Sequence, residues 1–323
     1  VTGSPARSFD IIGFGAVAVD DLLFLDGFPA PDSKVRIVRR ERHAGGLTGT
    51  ALVAAARLGC SCAYAGTLGS GELSRFILDG LAAEGVSTDL ARRVDGAGPF
   101  HSTILIDTRE KTRTILSDPG AVVALDPARL PEAAIRSAGM VFVDHEGIEG
   151  MTAVARIARE AGVAVVADLE KRREKGFDGL LALVDHPIVP WELASAITGA
   201  SDGPEAVRRM WSLHAPGGGR AAVVVTRGVE GSWCTGSDFP GKVLHQPAFR
   251  VQAVDTTGCG DVFHGAYMAA LRRGRPLAER VRFAAAVAGL KATRVGGQEG
   301  IPSLAEAERF LAERAGEAEG VWA

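Results

Sequence analysis

The sequence predicts an α/β protein: a mainly parallel central sheet with helices on both faces, a three-layer sandwich, and a small antiparallel sheet standing apart from it. Two observations carry this. Short apolar β-branched runs alternate with amphipathic Ala/Leu/Arg segments along most of the chain, the pattern of repeated β-α units. The alternation then fails twice, at Ala16 to Arg42 and Phe100 to Leu116, where strand follows strand with no helix between.

In chain order, Phe9 to Gly15, Ser61 to Thr67, Met140 to Asp144, Val163 to Asp168, Pro187 to Val189 and Ala221 to Thr226 read as buried strands, each too short and too apolar for a surface element. Thr50 to Leu58, Leu73 to Glu84, Gly150 to Ala161 and Glu205 to His214 carry helical spacing, as in Leu73, Phe76, Ile77 and Leu81. The second interruption looks like a hairpin, Ser102 to Asp107 and Thr112 to Ser117 joined at Arg109-Glu110-Lys111. Both interruptions are read as one separate sheet; edge hairpins of the main sheet are the alternative. The main unit is then 1–15, 43–99 and 118–315, the small sheet 16–42 and 100–117, and 316–323 a C-terminal tail in which Gly316 to Gly320 reads as frayed.

With 323 residues, 46% of them hydrophobic, the chain can bury a full core, and the net charge of -3 with mixed signs offers no basic face for nucleic acid. No apolar run is long enough to span a bilayer, and Val1 to Ser8 lacks the core of a secretory signal, so a cytoplasmic location is expected. Cys60, Cys62, Cys234 and Cys259 are too few and scattered for a disulfide framework, and Cys60-Ser61-Cys62 alone has too few ligands for a metal.

The chemistry concentrates in Asp255-Thr256-Thr257-Gly258-Cys259-Gly260-Asp261, which runs into the helical stretch Val262 to Leu271. A glycine-rich turn delivering backbone N–H groups to a helix N-terminus is an anion site. Asp261 adds a carboxylate able to take a proton from an attacking hydroxyl, the pairing a kinase needs. A plain first-turn aspartate is the structural alternative.

The longer string, from Asp255 through Phe263 to Gly265, resembles the C-terminal signature of the PfkB, or ribokinase-like, family of sugar kinases. Gly45-Gly46 and the Ala-rich stretch to Gly59 are similar to that family's N-terminal signature, and Thr226-Arg227-Gly228-Val229-Glu230-Gly231 to its nucleotide-side turn. The resemblance covers Phe9 to about Leu311. It implies a ribokinase-like fold whose small sheet is a lid over the sugar and a homodimer interface, and an ATP-dependent transfer to a primary hydroxyl. Asp261 would be the base, with the N–H groups of Gly258, Cys259 and Gly260 as anion hole.

By the same resemblance Asp20, with Asp21 as its neighbour, would bind sugar hydroxyls together with Gly45, Gly46, Thr50 and Lys34. Thr226, Gly228, Gly231 and Thr256 would contact ATP, and Phe283 to Thr293 would line the adenine. Asp255 and Thr257, with carbonyls around Arg294 to Gly300, would hold a monovalent cation such as K⁺. Mg²⁺ falls to Glu192 through water, because Val189-Pro190-Trp191-Glu192 lacks the family's usual asparagine. Thr50 likewise stands where an asparagine is usual, and a hydroxyl has no amide fork. The Val-Phe-His-Gly and Gly-Ile-Pro segments bring the chain nearest the sulfofructose-kinase branch, with Lys34 and Arg113 as cations for a sulfonate; a neutral ketose or a sugar acid is the alternative. A silent sugar-binding regulator and an ATP-independent glycosidase on the same fold are the readings from other classes.

Other residues have plainer readings. Gly13-Phe14-Gly15 lacks the third glycine of a dinucleotide fingerprint. His264 reads as a packing histidine, Asp144-His145-Glu146 as a polar rim to the sugar cleft, and Lys171 to Lys175 as a solvated charge cluster or a phosphate contact.

Overall fold

The structure is a computed structural model that describes residues 9–172, 174–214 and 221–322. Val1 to Ser8 and Arg173 of the charge cluster therefore lie outside the described residues. The elements run β1 (Ile11–Phe14), β2 (Ala18–Leu25), β3 (Ile37–Gly45), α1 (Leu47–Arg57), β4 (Cys62–Tyr64), β5 (Thr67–Leu68), α2 (Glu72–Ala83), β6 (Val86–Ser87), β7 (Arg92–Arg93), β8 (Phe100–Asp107) and β9 (Thr112–Asp118). They continue with α3 (Glu132–Ser137), β10 (Met140–Asp144), α4 (Ile148–Glu160), β11 (Ala164–Asp168), α5 (Phe177–Leu183), β12 (His186–Pro190), α6 (Trp191–Thr198), α7 (Gly203–His214) and β13 (Ala222–Thr226). The last are β14 (Ser232–Gly236), β15 (Leu244–Gln246), α8 (Cys259–Arg272), α9 (Leu277–Ala292), α10 (Leu304–Glu313) and β16 (Val321–Trp322).

The central sheet has the order β16-β15-β14-β13-β12-β11-β10-β1-β4-β6, parallel from β6 to β13 and antiparallel beyond. Alternation along each buried strand feeds two cores. Ile11 and Phe142 face the layer of α1, α2, α8, α9 and α10, whereas Ile12, Val141 and Val143 face α3 to α7. Helices on both faces satisfy the parallel strands' apolar sides, as the sequence pattern requires.

The two interrupted segments form a separate four-stranded sheet, β3-β2-β8-β9, not edge hairpins of the main one. Its hairpins β2/β3 and β8/β9 are antiparallel, and they join along a parallel β2/β8 pair. β3 extends to Gly45, three residues past the boundary expected for this unit. Its outer strand β9 is exposed throughout.

The tail carries one more strand: beyond Gly316 to Gly320, Val321 and Trp322 pair with His245 and Leu244 and close one edge of the central sheet. Trp322 packs edge-on against Phe239 at 4.9 Å, and the carbonyls of Glu317 and Ala318 accept from Arg282, so an aromatic contact at the surface and a guanidinium hold the segment.

One close approach sets the position of α8. A Cβ on Gly265 would lie 2.3 Å from Ala51 O and 2.6 Å from Ala54 Cβ of α1. Only glycine lets α8 seat this deeply, and Asp261 rides one turn upstream on the same helix.

Candidate active site

Because β1, β10, β11, β12 and β13 are parallel, their C-terminal ends line one edge of the sheet, where open α/β sheets bind ligands. The register sets Asp144 opposite Asp168 at that edge. Asp144 is fully buried, and its carboxylate accepts from Ala16 N at 2.6 Å, Glu146 N at 2.9 Å and Thr48 Oγ1 at 3.0 Å. Burial pushes its pKa up to about 6 even so. Asp168 is 1% exposed, and among the described residues its Oδ2 has no hydrogen-bond partner. An acceptor left this way is costly unless a proton or an ion meets it.

The loop ahead of α8 brings the glycine-rich turn to the same edge. Gly258, with φ 74°, caps the helix. Cys259 N–H is spent inside the turn, donating to Thr256 O at 3.2 Å, whereas among the described residues the N–H groups of Gly258, Gly260 and Asp261 have no protein acceptor. Of the N–H groups expected to form an anion hole, those of Gly258 and Gly260 are thus open, that of Cys259 is taken, and that of Asp261 is open as well. Cys259 is half-buried against Ala288 O, and burial pushes its thiol up, away from thiolate reactivity.

Asp261 stands in the first turn of α8 with an oxygen within 4.8 Å of ligand oxygens of both Asp168 and Glu170. Its pKa is well above the ordinary carboxylate range, first from desolvation and then from the charge of Asp168, whose own pKa is raised by burial and by Glu170. Acids this close cannot all ionise without a shared proton or a cation. His264 is buried beneath them: its Nδ1 lies 2.8 Å from Gly260 O and 3.4 Å from Asp168 Oδ2, its Nε2 3.2 Å from Ile188 O, and burial lowers its pKa.

The three oxygen donors, one of them an orphaned buried atom, suit a hard divalent cation such as Mg²⁺. Glu192, the residue expected to serve Mg²⁺, is exposed in the first turn of α6 at the end of β12 and is not one of the three. The positions expected to hold a monovalent cation are engaged by the chain itself. Asp255 accepts from Thr257 N and Gly296 N, each at 2.9 Å, and Lys291 Nζ donates to Asp255 O at 3.0 Å and to Thr257 O.

On the sugar side, alternation along β2 separates the two neighbouring acids. Asp21 is committed to Arg42 at 2.7 Å and His101 at 2.8 Å, and Arg42 continues to Glu72 on α2. Asp20 faces Gly45, where an added Cβ would sit 3.3 Å from its Oδ2, and desolvation raises its pKa. Gly46, at φ 90°, caps α1 with its Cα against the Val17 backbone; a Cβ there would lie 2.5 Å from Val17 Cα. Thr50 is buried one turn further on, and its hydroxyl accepts from Gln298 at 3.3 Å. A cavity of about 70 Å³ opens beside these elements, lined by Gly15, Val17, Tyr64, Phe100 and Glu146.

The lid side chain that reaches the glycine-rich loop is Arg113, 3.2 Å from Thr257 Oγ1; Lys34 is exposed in the β2–β3 connection. His43 on β3 ties the lid to the loop after α9, 2.6 Å from Glu299 and 3.1 Å from Glu41. In the segment expected to meet the nucleotide, Thr226 ends β13, a single helical turn spans Gly228–Glu230, and Gly231 at φ 92° turns into β14. Arg227 stacks over Trp191 at 4.6 Å, and Thr256 is exposed at the mouth of the loop. In the charge cluster, Arg172 pairs with Asp178 and Glu174 accepts from the first N–H groups of α4, which makes it scaffold.

The family model described as pfkB family carbohydrate kinase matches residues 10–304. The chain belongs to the PfkB family of carbohydrate kinases. It is 29% identical over 303 residues to a ribokinase of Haemophilus influenzae, covering 92% of this chain and 96% of that one. It is 26% identical to a mouse ketohexokinase, covering 87% and 95%. Among solved structures, a fructokinase with bound ATP from Xylella fastidiosa superposes with a TM-score of 0.76 at 25% identity, covering 95% and 99%. A ribokinase of Arabidopsis thaliana complexed with ribose and ATP shares the fold, with a TM-score of 0.81 at 23% identity.

Asp168 and Glu170 are the site residues that sequence reasoning missed. Their signal was an acid closing a buried strand at the C-terminal edge of a parallel sheet.

Proposed function

We propose that this PfkB-family kinase transfers the γ-phosphoryl group of ATP to a primary hydroxyl of a neutral ketose or a related sugar. The observation that carries it is Asp261 in the first turn of α8, next to three N–H groups without protein acceptors and facing Asp168. As the sugar oxygen bonds to the γ-phosphorus and the bond to the bridging β-γ oxygen breaks, Asp261 takes the hydroxyl proton and the N–H groups of Gly258, Gly260 and Asp261 offset the charge on the transferring group. Burial and the charge of Asp168 raise its pKa, which makes it a stronger proton acceptor than an ordinary carboxylate. Asp168 and Glu170 would hold Mg²⁺ beside it, and such an ion would supply positive charge to the phosphate oxygens.

Asp20 and Glu146 are the acceptors for sugar hydroxyls, with Gly45 and Gly46 admitting the sugar close to the backbone. A neutral sugar is favoured over a sulfonate or sugar acid because Arg42 is paired with two acids and the cleft offers the carboxylates of Asp20 and Glu146. The ribokinase and ketohexokinase names of the relatives support the same class. ATP lies along Thr226, Gly228, Gly231 and Thr256, which the ATP-bound fructokinase supports. A second copy docks on the lid, where β9 is exposed and Ile115 and Leu116 are 52% and 54% exposed.

The test is ADP release with ATP and Mg²⁺ across pentoses, ketohexoses, sulfonated sugars and sugar acids, with the product's phosphate position read by phosphorus NMR. Turnover with a neutral sugar phosphorylated at a primary carbon is expected. Turnover confined to anionic sugars overturns the substrate class.

A further inference from the structure

Lys291 is a fully buried lysine near the C-terminus of α9, and its ammonium hydrogen-bonds two backbone oxygens of the glycine-rich loop, Asp255 O and Thr257 O. A buried ammonium is expensive unless oxygens replace its hydration, so this placement needs a reason. The loop supplies one. Its N–H groups point toward the phosphate side, and its carbonyls consequently converge on the opposite side, toward α9. Converging carbonyls beside the Asp255 carboxylate form a cavity for a positive charge. Asp255 is held there by Thr257 N and Gly296 N, while Val254 N and Asp255 N donate to Ala292 O, the residue after Lys291. The whole loop is thus sewn to the end of α9 around one charge.

We infer that Lys291 is a tethered internal cation: its ammonium fixes the carbonyls of Asp255 and Thr257 and so orients the anion hole, in place of a free monovalent metal ion. The inference deepens the kinase reading and rests on it. Lys291 is a positioning residue that touches neither sugar nor nucleotide and acts through the loop. A cation bound from solution is subject to its concentration, whereas a tethered one is always present, so the enzyme is indifferent to K⁺.

The experiment compares wild type, Lys291→Ala and Lys291→Met in chloride salts of K⁺, NH₄⁺, Na⁺ and tetramethylammonium at equal ionic strength, reading kcat and melting temperature. Alanine opens space for an ion and methionine fills it without charge. Wild-type kcat is expected to change by less than about twofold among the salts. Lys291→Ala should lose roughly 10²-fold in kcat, the scale of a loop misplaced by about an ångström, and recover about tenfold or more with K⁺ or NH₄⁺ but not tetramethylammonium. Lys291→Met should lose as much and recover nothing. Melting temperature should rise with K⁺ in Lys291→Ala alone, a readout that holds even if no sugar is turned over and the kinase reading itself fails. A wild-type enzyme several-fold faster in K⁺ than in tetramethylammonium overturns the inference, whether or not the variants fold, as does a folded Lys291→Ala with no cation response in either readout.

Discussion

The seating of α8 against α1 makes a prediction with a computable size. In Gly265→Ala the new methyl would lie 2.3 Å from Ala51 O and 2.6 Å from Ala54 Cβ, against an ordinary contact from 3.4 Å. Relieving the worse contact needs a shift of about 1 Å between two packed helices, an overpacking penalty of about 1–3 kcal/mol. The substitution also improves helix propensity by about 0.5–1 kcal/mol, so the net loss is smaller than the clash alone. At about 2 °C per kcal/mol for a chain of this size, the melting temperature should fall by roughly 1–5 °C. The larger effect is on turnover, because Asp261 sits on the displaced turn: a misplacement of about 1 Å costs on the order of 10²-fold in kcat. Gly289→Ala on α9 is the control, since its methyl meets Phe249 Cβ at 3.6 Å and should raise stability slightly and leave kcat unchanged. Thermal melts and steady-state ADP release measure both. A Gly265→Ala enzyme with wild-type melting and wild-type kcat would refute the reasoning.

Three further outcomes are expected. The acid limb of kcat/KM should lie above the ordinary carboxylate range, because burial and Asp168 raise the pKa of Asp261, and Asp168→Asn should move that limb to lower pH; an unmoved limb would separate the two acids. The pKa of His43 is raised because its bonds to Glu41 and Glu299 outweigh burial, so its contribution to stability is complete below about pH 6.5 and disappears as pH rises through the folded value. Urea midpoints of wild type and His43→Gln should therefore converge on the alkaline side, and a gap that widens there would contradict the clasp. The docking of a second copy proposed on the exposed strand β9 predicts that Leu116→Glu sediments as a folded monomer where wild type sediments as a dimer; a wild type that is itself monomeric, or an unchanged dimer in the variant, would overturn that interface.

The parts legible in the sequence are those whose causes are local. β-branched runs and helical spacing announce the layers, and the turn chemistry of Gly258 and Gly260 announces the anion loop before any tertiary contact exists. The lid was legible as two gaps in the β-α rhythm, although its parallel β2/β8 seam joins segments far apart in the chain. The acid cluster was not legible, because Asp168 meets Asp261 only through the register of β11 and the seating of α8. Lys291 looked like an ordinary basic residue in the last turn of a helix, where a cation favours the dipole, and nothing local reveals that its ammonium turns inward. Glu192 was read from the residue pattern alone, and it lies on α6, outside the cluster of Asp168, Glu170 and Asp261 that the fold assembles. The strand Val321–Trp322 was not legible, because two apolar residues carry no periodicity.

The most direct measurement of the central claim is sugar-stimulated ADP release by Asp261→Asn beside wild type, with sugar-induced melting shifts recorded on the same samples. The account predicts that the asparagine variant keeps the sugar-dependent shift and loses about 10²–10⁴-fold in kcat, the usual worth of a general base. A variant that turns over sugar at the wild-type rate would contradict it, and so would a wild type whose ATP turnover no sugar stimulates.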